Sequence, residues 1–450
     1  MAFLANIRKF HRNNVSTLRR SPLSEISGAL GDLGTLLPLM ITMAVNGSIS
    51  LSTTLVFSGV FNLVTGAVFG IPLPVQPMKA IAAAAIASHT SLRETMAAGS
   101  VTSIIVLILS LTGLLQWFTR VIPVPVIKGI QFGAGLSLII SAGTSLLRPL
   151  PWFIPQPLDN RIWALAAFIL LIATLRMPRF PYALLVFAAG VVMAFIVILT
   201  DHLGFEHHHH DHPHTPHHHH HLPWFGIWRP YFVLPNWTED AIGMGIAQLP
   251  LTTLNSVIAA SALAADLLPD LPAPSVTALG TSVALMNLSG CWFGVMPVCH
   301  GAGGLAAQYR FGARSGASIV MLGLFKVVLG LVFGETLFDL LGAFPHSLLG
   351  IMVVAAGLEL AKVGQSLNHG ASDLWETSSS SRRHRDVSDE ERSERWVVML
   401  VTTAGILAFK NDAVGFLAGM FCHWAYRITE WMEERRRSGR SLQERTPLLT

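Results

Sequence analysis

Gly70-Ile71-Pro72-Leu73-Pro74-Val75-Gln76-Pro77-Met78-Lys79-Ala80 is the stretch on which the reading of this chain turns. Prolines at 72, 74 and 77 forbid a continuous helix, because each lacks an N–H donor and fixes its φ. Pro77 suits the first turn of a new helix running through the apolar residues that end near 88. A crossing of the bilayer core takes about 20 residues. The spacing therefore predicts a half-helix whose positive dipole end lies in the middle of a membrane. Lys79 in its first turn adds a full charge, which costs about 2.5–3.5 kcal/mol at mid-membrane. A bound anion would offset that cost. The plain alternative is a proline kink with Lys79 snorkelling to an interface.

Half a chain away stands Phe293-Gly294-Val295-Met296-Pro297-Val298-Cys299-His300-Gly301-Ala302-Gly303-Gly304. Its glycines let backbone N–H groups approach a ligand closely, a helix N-terminus favours anions, and His300 can donate a hydrogen bond. Taken alone, the same residues suit tight helix packing. The pairing of the two stretches changes the balance. Asn62-Leu63, Phe69-Gly70 and Pro74-Val75 recur as Asn287-Leu288, Phe293-Gly294 and Pro297-Val298, at offsets of 225, 224 and 223. Gly129-Ile130 and Gly135-Leu136 recur as Gly350-Ile351 and Gly357-Leu358, at 221 and 222. One order at nearly one offset reads as internal duplication. In secondary transporters, short broken segments at matching places in two repeats point to the substrate site.

The rest of the chain reads as membrane-embedded. Of 450 residues, 52% are hydrophobic and 12% charged, about half the usual charged share, and mean hydropathy is +0.53. This composition excludes a disordered chain, a disulfide scaffold and a basic-patch nucleic-acid binder. Cys291, Cys299 and Cys422 are read as reduced thiols. Long apolar runs fall near 25–46, 50–70, 95–118, 124–143, 161–176, 180–200, 240–265, 275–294, 314–334, 345–363 and 396–426, the last breaking near Asn411-Asp412. With the short segments 75–88 and 298–309 they predict about fourteen segments. The expected organisation is a cytoplasmic tail 1–22, a first repeat 23–200, a His-rich exoplasmic or lumenal loop 201–238, a second repeat 239–426 and a cytoplasmic tail 427–450. A solvated cytoplasmic loop is expected at 364–394. Seven segments per copy would invert the second repeat, and arginines at both ends and in 364–394 mark the cytoplasmic side. No cleavable signal peptide is read at the N-terminus.

Phe69 to Lys79 and the long run from Phe293 to Gly316 resemble the two signature motifs of the MOT-type molybdate transporters, a branch of the SulP sulfate transporter superfamily. The resemblance spans about 23–424. It implies an all-α UraA-like fold of two inverted seven-segment repeats, divided into core and gate domains, without a STAS domain and without a cofactor. It also implies secondary active transport of molybdate. The first segments of each repeat would then line the site opposite the half-helices. Candidate substrate contacts are Gln76, Met78, Lys79, Cys299, His300, Gly301 and Gly303, with Thr35, Gln248, Thr252 and Asn255. Asp32 would repel an anion unless protonated or turned away, so Asp32 and Glu359 are read as coupling candidates, and Lys128 and Lys326 as further ionisable groups in apolar runs.

Other signals suggest other roles. His207 to His210, His212, His214 and His217 to His221 form a tract able to bind Zn²⁺, Ni²⁺ or Cu²⁺, or simply a low-complexity linker. Glu444-Arg445-Thr446-Pro447-Leu448-Leu449 matches an acidic dileucine sorting signal, which favours a vacuolar membrane over the plasma membrane and an adaptor protein as partner. A homodimer is a further expected assembly. Competing readings are a sulfate transporter of the same fold and a zinc transporter built on the histidine loop. An enzyme is not expected, since no nucleophile–base pair or phosphate loop is visible.

Overall fold

The structure is a computed structural model that describes residues 2–174, 177, 180–202, 228–334, 337–368, 372–378 and 381–444. Its first half runs α1 (Ala2–Arg20), α2 (Pro22–Ala29), α3 (Leu33–Val45), α4 (Leu51–Phe69), β1 (Val75–Pro77), α5 (Lys79–Ser88), α6 (Leu92–Leu111), α7 (Leu114–Val121), α8 (Val124–Ser141), α9 (Arg161–Ala173) and α10 (Tyr182–His202). The second half runs α11 (Glu239–Pro250), α12 (Ala260–Leu267), α13 (Val276–Gly290), β2 (Val298–His300), α14 (Ala302–Arg310), α15 (Ala317–Val332), α16 (Leu337–Gly342), α17 (His346–Ala361), α18 (Asp389–Phe409) and α19 (Asp412–Glu444). A π-helical stretch, Leu251–Ala259, joins α11 to α12. Polar residues set many of the starts. Ser50, Ser91, Thr238, Ser275 and Ser388 each accept a backbone N–H of the first turn as N-cap.

Six helices among the described residues are long and apolar enough to cross a membrane, and four shorter apolar ones accompany them. Tyr182–Thr200 has a mean hydropathy of 2.8, and Leu185, Val192, Phe195 and Ile196 face outward on it. Such a surface is stable only against lipid or another apolar partner. The protein is an integral membrane protein.

Small residues let the helices close up. α4 packs along α15, and a Cβ on Gly59 would come within 2.7 Å of the Gly323 carbonyl oxygen, with 2.6 Å in the reverse direction. α8 and α17 meet the same way, a Cβ on Gly135 or on Gly357 coming within 2.7 Å of the other's carbonyl oxygen. These are two of the repeat-related glycines. Buried apolar residues form two main clusters. One joins α3, α5, α9, α10 and α17 through residues such as Met40, Ile81, Leu171 and Met352. The other joins α8, α12, α13, α14 and α18 through Ile130, Leu263, Leu279 and Leu305. β1 and β2 lie where the clusters meet: Val75 and Cys299 belong to the first, Leu73 and Ala302 to the second.

Three features depart from the sequence reading. The run 25–46 is interrupted, because the chain turns at Leu30 to Asp32 between α2 and α3. The amphipathic α1 was not anticipated; Phe10 seats on Gly70, and Asn14 Nδ2 donates to the Gly66 carbonyl at 3.1 Å. The stretch 364–394 also contains an antiparallel hairpin, β3 (Trp375–Ser378) with β4 (Ser381–His384). The break near Asn411 falls as expected, between α18 and α19, with Lys410 in the left-handed region.

Candidate functional site

The recurring sequence pieces become one device used twice. In α4, Asn62 Oδ1 accepts the backbone N–H of Val75 at 2.8 Å; in α13, Asn287 Oδ1 accepts that of Val298 at 2.7 Å. Gly70 and Gly294 stand at the matching bends with φ of +66° and +73°, a conformation that favours glycine. Each bend feeds a proline-led strand. The strands pair antiparallel, Val75 with His300, Gln76 with Cys299 and Pro77 with Val298. This register has the symmetry of a two-fold axis passing between Gln76 and Cys299. Both half-helices, α5 and α14, therefore start beside one another at this crossing. They begin two or three residues later than the proline pattern suggested, since the strands use the residues in between.

Gln76 is the centre of a buried polar cluster. Its Nε2 donates to Asp32 Oδ1 and lies 3.2 Å from Thr35 Oγ1, and Thr35 donates to the same Asp32 oxygen at 2.6 Å. The break between α2 and α3 is what brings Asp32 and Thr35 here. The Gln76 amide lies over the start of α14. A Cβ on Gly301 would overlap Gln76 Oε1, and one on Gly304 would stand 2.7 Å from Nε2 and 2.5 Å from the Pro74 ring. The glycines of the second motif thus make room for a side chain of the first.

The start of α5 is closed by the other half of the chain. Gln248, in α11, accepts the N–H of Ala80 at 2.8 Å and that of Ile81 at 3.4 Å through Oε1, and its Nε2 donates to Thr252 Oγ1 at 2.9 Å. Lys79 is the first residue of α5, directly before the two N–H groups that Gln248 caps. A neutral carboxamide oxygen thus caps two N–H groups at a helix start, the kind of donors that also accept an anion's oxygen.

The other expected residues fall in varied places. Cys299 shares the Gln76 face of the strand pair and contacts the Pro77 carbonyl. His300, alternating to the opposite face, bonds Ser282 through Nε2 at 3.0 Å and meets the Phe69 ring edge-on, so the structure does not bring it to the Gln76 cluster. Met78 is buried, with its N–H donating to the Pro297 carbonyl at 2.8 Å. Gly303 faces Leu138 of α8. Asn255 is buried in the π-helical stretch, and its Oδ1 has no hydrogen-bond partner among the described residues. Glu359 pairs with Lys362 at 2.8 Å near the end of α17, apart from the cluster. The roles of Asn62 and Asn287 were missed; two asparagines at one offset within apolar helices were the available signal. So was the ion pair of buried Lys128 in α8 with the more exposed Asp266 in α12, which Ser366 joins at 3.0 Å.

A cavity of about 870 Å³ lies elsewhere, among Arg120, Arg385, Glu391, Glu394, Arg395 and Glu430, and shares no residue with this cluster. No group of three or more His, Cys, Asp or Glu suited to a metal occurs among the described residues. The tract His207 to His221 lies outside them, as do Leu448 and Leu449; Glu444 ends α19.

A sequence model described as "Molybdate transporter of MFS superfamily" matches residues 24–138 and 240–360, one block in each half. Molybdate transporter 2 of Arabidopsis thaliana is 38% identical over 396 residues, covering 78% of this chain and 80% of that protein. The chain belongs to the molybdate transporter family. Molybdate transporter 1 of Arabidopsis thaliana is 34% identical, covering 91% of this chain and 89% of that protein, and Molybdate transporter 1 of Chlamydomonas reinhardtii is 33% identical, covering 88% and 90%. The fold is shared with murine Slc26a9, an anion transporter solved in the inward-facing state, at a TM-score of 0.53 and 16% identity over 93% of this chain and 71% of that one. A second SLC26A9 structure gives the same score at 14% identity, over 92% of this chain and 66% of that one. This molybdate transporter family member is thus a membrane transporter with an SLC26-type fold, and not an enzyme.

Proposed function

We propose that the protein carries molybdate across a membrane by secondary active transport, with the oxyanion bound between the starts of α5 and α14. The observation that carries this reading is Gln248 Oε1 on the N–H groups of Ala80 and Ile81, next to Lys79. A tetrahedral oxyanion can take over those donors and add the Gln76 amide and the hydroxyls of Thr35 and Thr252. Membership of the molybdate transporter family supports the choice of cargo. The fourteen-segment organisation follows from treating α2 with α3, β1 with α5, and β2 with α14 as broken crossings. α2–α6 and α11–α15 then form the core, and the remaining helices form the gate. Rocking of one against the other exposes the site to each side in turn, with Asp32 as the coupling carboxylate. The domain limits given above follow the same division.

Uptake of labelled molybdate in transporter-deficient cells tests the assignment. Gln76→Ala is expected to lose uptake, and wild-type rates in that variant would refute the site. Excess sulfate should compete poorly; strong competition would favour the sulfate reading. A vacuolar destination rests on Glu444, Leu448 and Leu449, and relocation of a Leu448→Ala/Leu449→Ala variant to the cell surface is the expected result. A homodimer and an adaptor contact at this tail complete the proposal.

A further inference from the structure

Transport as proposed leaves α1 without a role. Phe10 and Asn14 are buried and tie this helix to the rest of the protein: a Cβ on Gly70 would stand 2.6 Å from the Phe10 ring, and Asn14 Nδ2 donates to the Gly66 carbonyl at 3.1 Å. Arg8, Lys9, Arg12, Arg19 and Arg20 are exposed, and α1 contains no acidic residue. At 3.6 residues per turn, Arg8, Arg12 and Arg19 fall on one stripe, on the side away from Phe10 and Asn14. Ile7, Val15 and Leu18 fall on the flank between, and each is only partly covered by protein.

Two features identify what meets this surface. Elsewhere exposed arginines are neutralised within the chain, Arg385 by Glu391, Arg392 by Asp389 and Arg427 by Glu430. The five cations of α1 form no ion pair among the described residues. Like charges one turn apart repel, so the stripe calls for an anionic partner. The second feature is the flank. Ile7, Val15 and Leu18 lie partly open beside the cations, and Leu23, 54% exposed at the start of α2, adds apolar surface just beyond. An acidic protein segment would satisfy the arginines and leave that flank in water. A headgroup layer over acyl chains satisfies both.

We propose that α1 docks on the headgroups of anionic lipids through Arg8, Arg12 and Arg19, and that the docked helix holds Phe10 on the bend at Gly70. Gly70 stands at φ +66°, and its carbonyl accepts the Gly316 N–H at 2.9 Å, so α1, the bend and the start of α15 share one junction. The chain that leaves this bend leads to Val75, held by Asn62, and then to Gln76. Lipid charge thereby steadies the stretch that positions β1. This role concerns the membrane surface and is independent of the cargo.

The test is amide hydrogen exchange of the purified full-length protein in nanodiscs of phosphatidylcholine, with and without phosphatidylglycerol. The anionic lipid is expected to slow exchange at least tenfold in peptides covering 8–20, and to slow the peptide across 70–76 as well. Arg8→Gln/Arg12→Gln/Arg19→Gln should lose both effects, as should the parental protein in high salt. Phe10→Ala should keep the slowing within α1 and lose it at the bend. Equal exchange of α1 in the two discs, or a slowing that the triple variant or high salt leaves in place, overturns the docking. A bend that slows in Phe10→Ala as in the parental protein overturns the coupling.

Discussion

The side-chain oxygen of Gln248 accepts the backbone N–H of Ala80 at 2.8 Å, so a residue of the second half of the chain seals the half-helix of the first. The seal is neutral and comes from a helix with its own π-helical continuation, Leu251–Ala259. Replacing that amide with a carboxylate should block transport. In Gln248→Glu the helix dipole offsets only part of the desolvation of a fully buried carboxylate. The thermal midpoint should not rise, and molybdate uptake should fall at least tenfold because the anion's place is taken. A variant that transports normally would show that the anion binds elsewhere.

Gly301 and Gln76 form a complementary pair. A methyl on Gly301 overlaps the Gln76 amide, so Gly301→Ala should lower the thermal midpoint and abolish uptake. Adding Gln76→Ala to Gly301→Ala should recover much of the stability without the uptake, a coupling that a double-mutant cycle measures directly. Independent, additive effects of the two substitutions would contradict the packing.

The two asparagine clamps are unequal. Asn287 Nδ2 also donates to the carbonyls of Val298 and Val283, at 2.6 and 2.8 Å, whereas Asn62 Nδ2 has no partner among the described residues. Asn287→Ala strands both polar groups of Val298 and should cost about 2–4 kcal/mol; Asn62→Ala strands one N–H and should cost about 1–2 kcal/mol. Thermal melts of the two variants in one detergent give the ranking, and a reversed order would count against the clamp.

Lys128 and Asp266 differ in exposure, at 4% and 27% of the side chain. Asp266→Asn leaves a buried ammonium without its partner and should approach the roughly 3–5 kcal/mol cost of breaking a buried pair. Lys128→Met leaves a carboxylate that reaches water, and should cost clearly less. The double variant Lys128→Met/Asp266→Asn should be more stable than Asp266→Asn alone. Equal losses in both single variants would show that the bridge is solvated at both ends.

Much of this arrangement was readable from the chain because covalent geometry enforces it. Three prolines within six residues, at 72, 74 and 77, leave no room for a continuous helix, and long apolar runs have few other destinations than a membrane. The repeat was visible because Asn62, Gly70 and Pro74 each meet a backbone requirement that Asn287, Gly294 and Pro297 meet again. What the sequence concealed depends on three-dimensional partners. His300 and Cys299 are neighbours, yet only strand pleating assigns Cys299 to the Gln76 face. Glu359 looked as interior as Asp32, but Lys362 lies one helical turn away and pairs with it near the surface. The glycines of the second motif suggested space for a ligand, and part of that space belongs to Gln76.

The pairing of Gln76 with Cys299 has a consequence for sidedness. Positions on a two-fold axis exchange with each other when the two repeats trade conformations, as they do when an inverted-repeat carrier turns from one side of the membrane to the other. Identical residues there would present the cargo with the same surroundings in both orientations. Here one partner is a strong amide donor and the other a thiol, so the exchange cannot restore the same set of contacts. With the proposed site at this crossing, such a carrier grips its cargo with different strength on its two sides, an asymmetry of affinity that sets how readily each side loads while the direction of net flux still comes from the gradients alone.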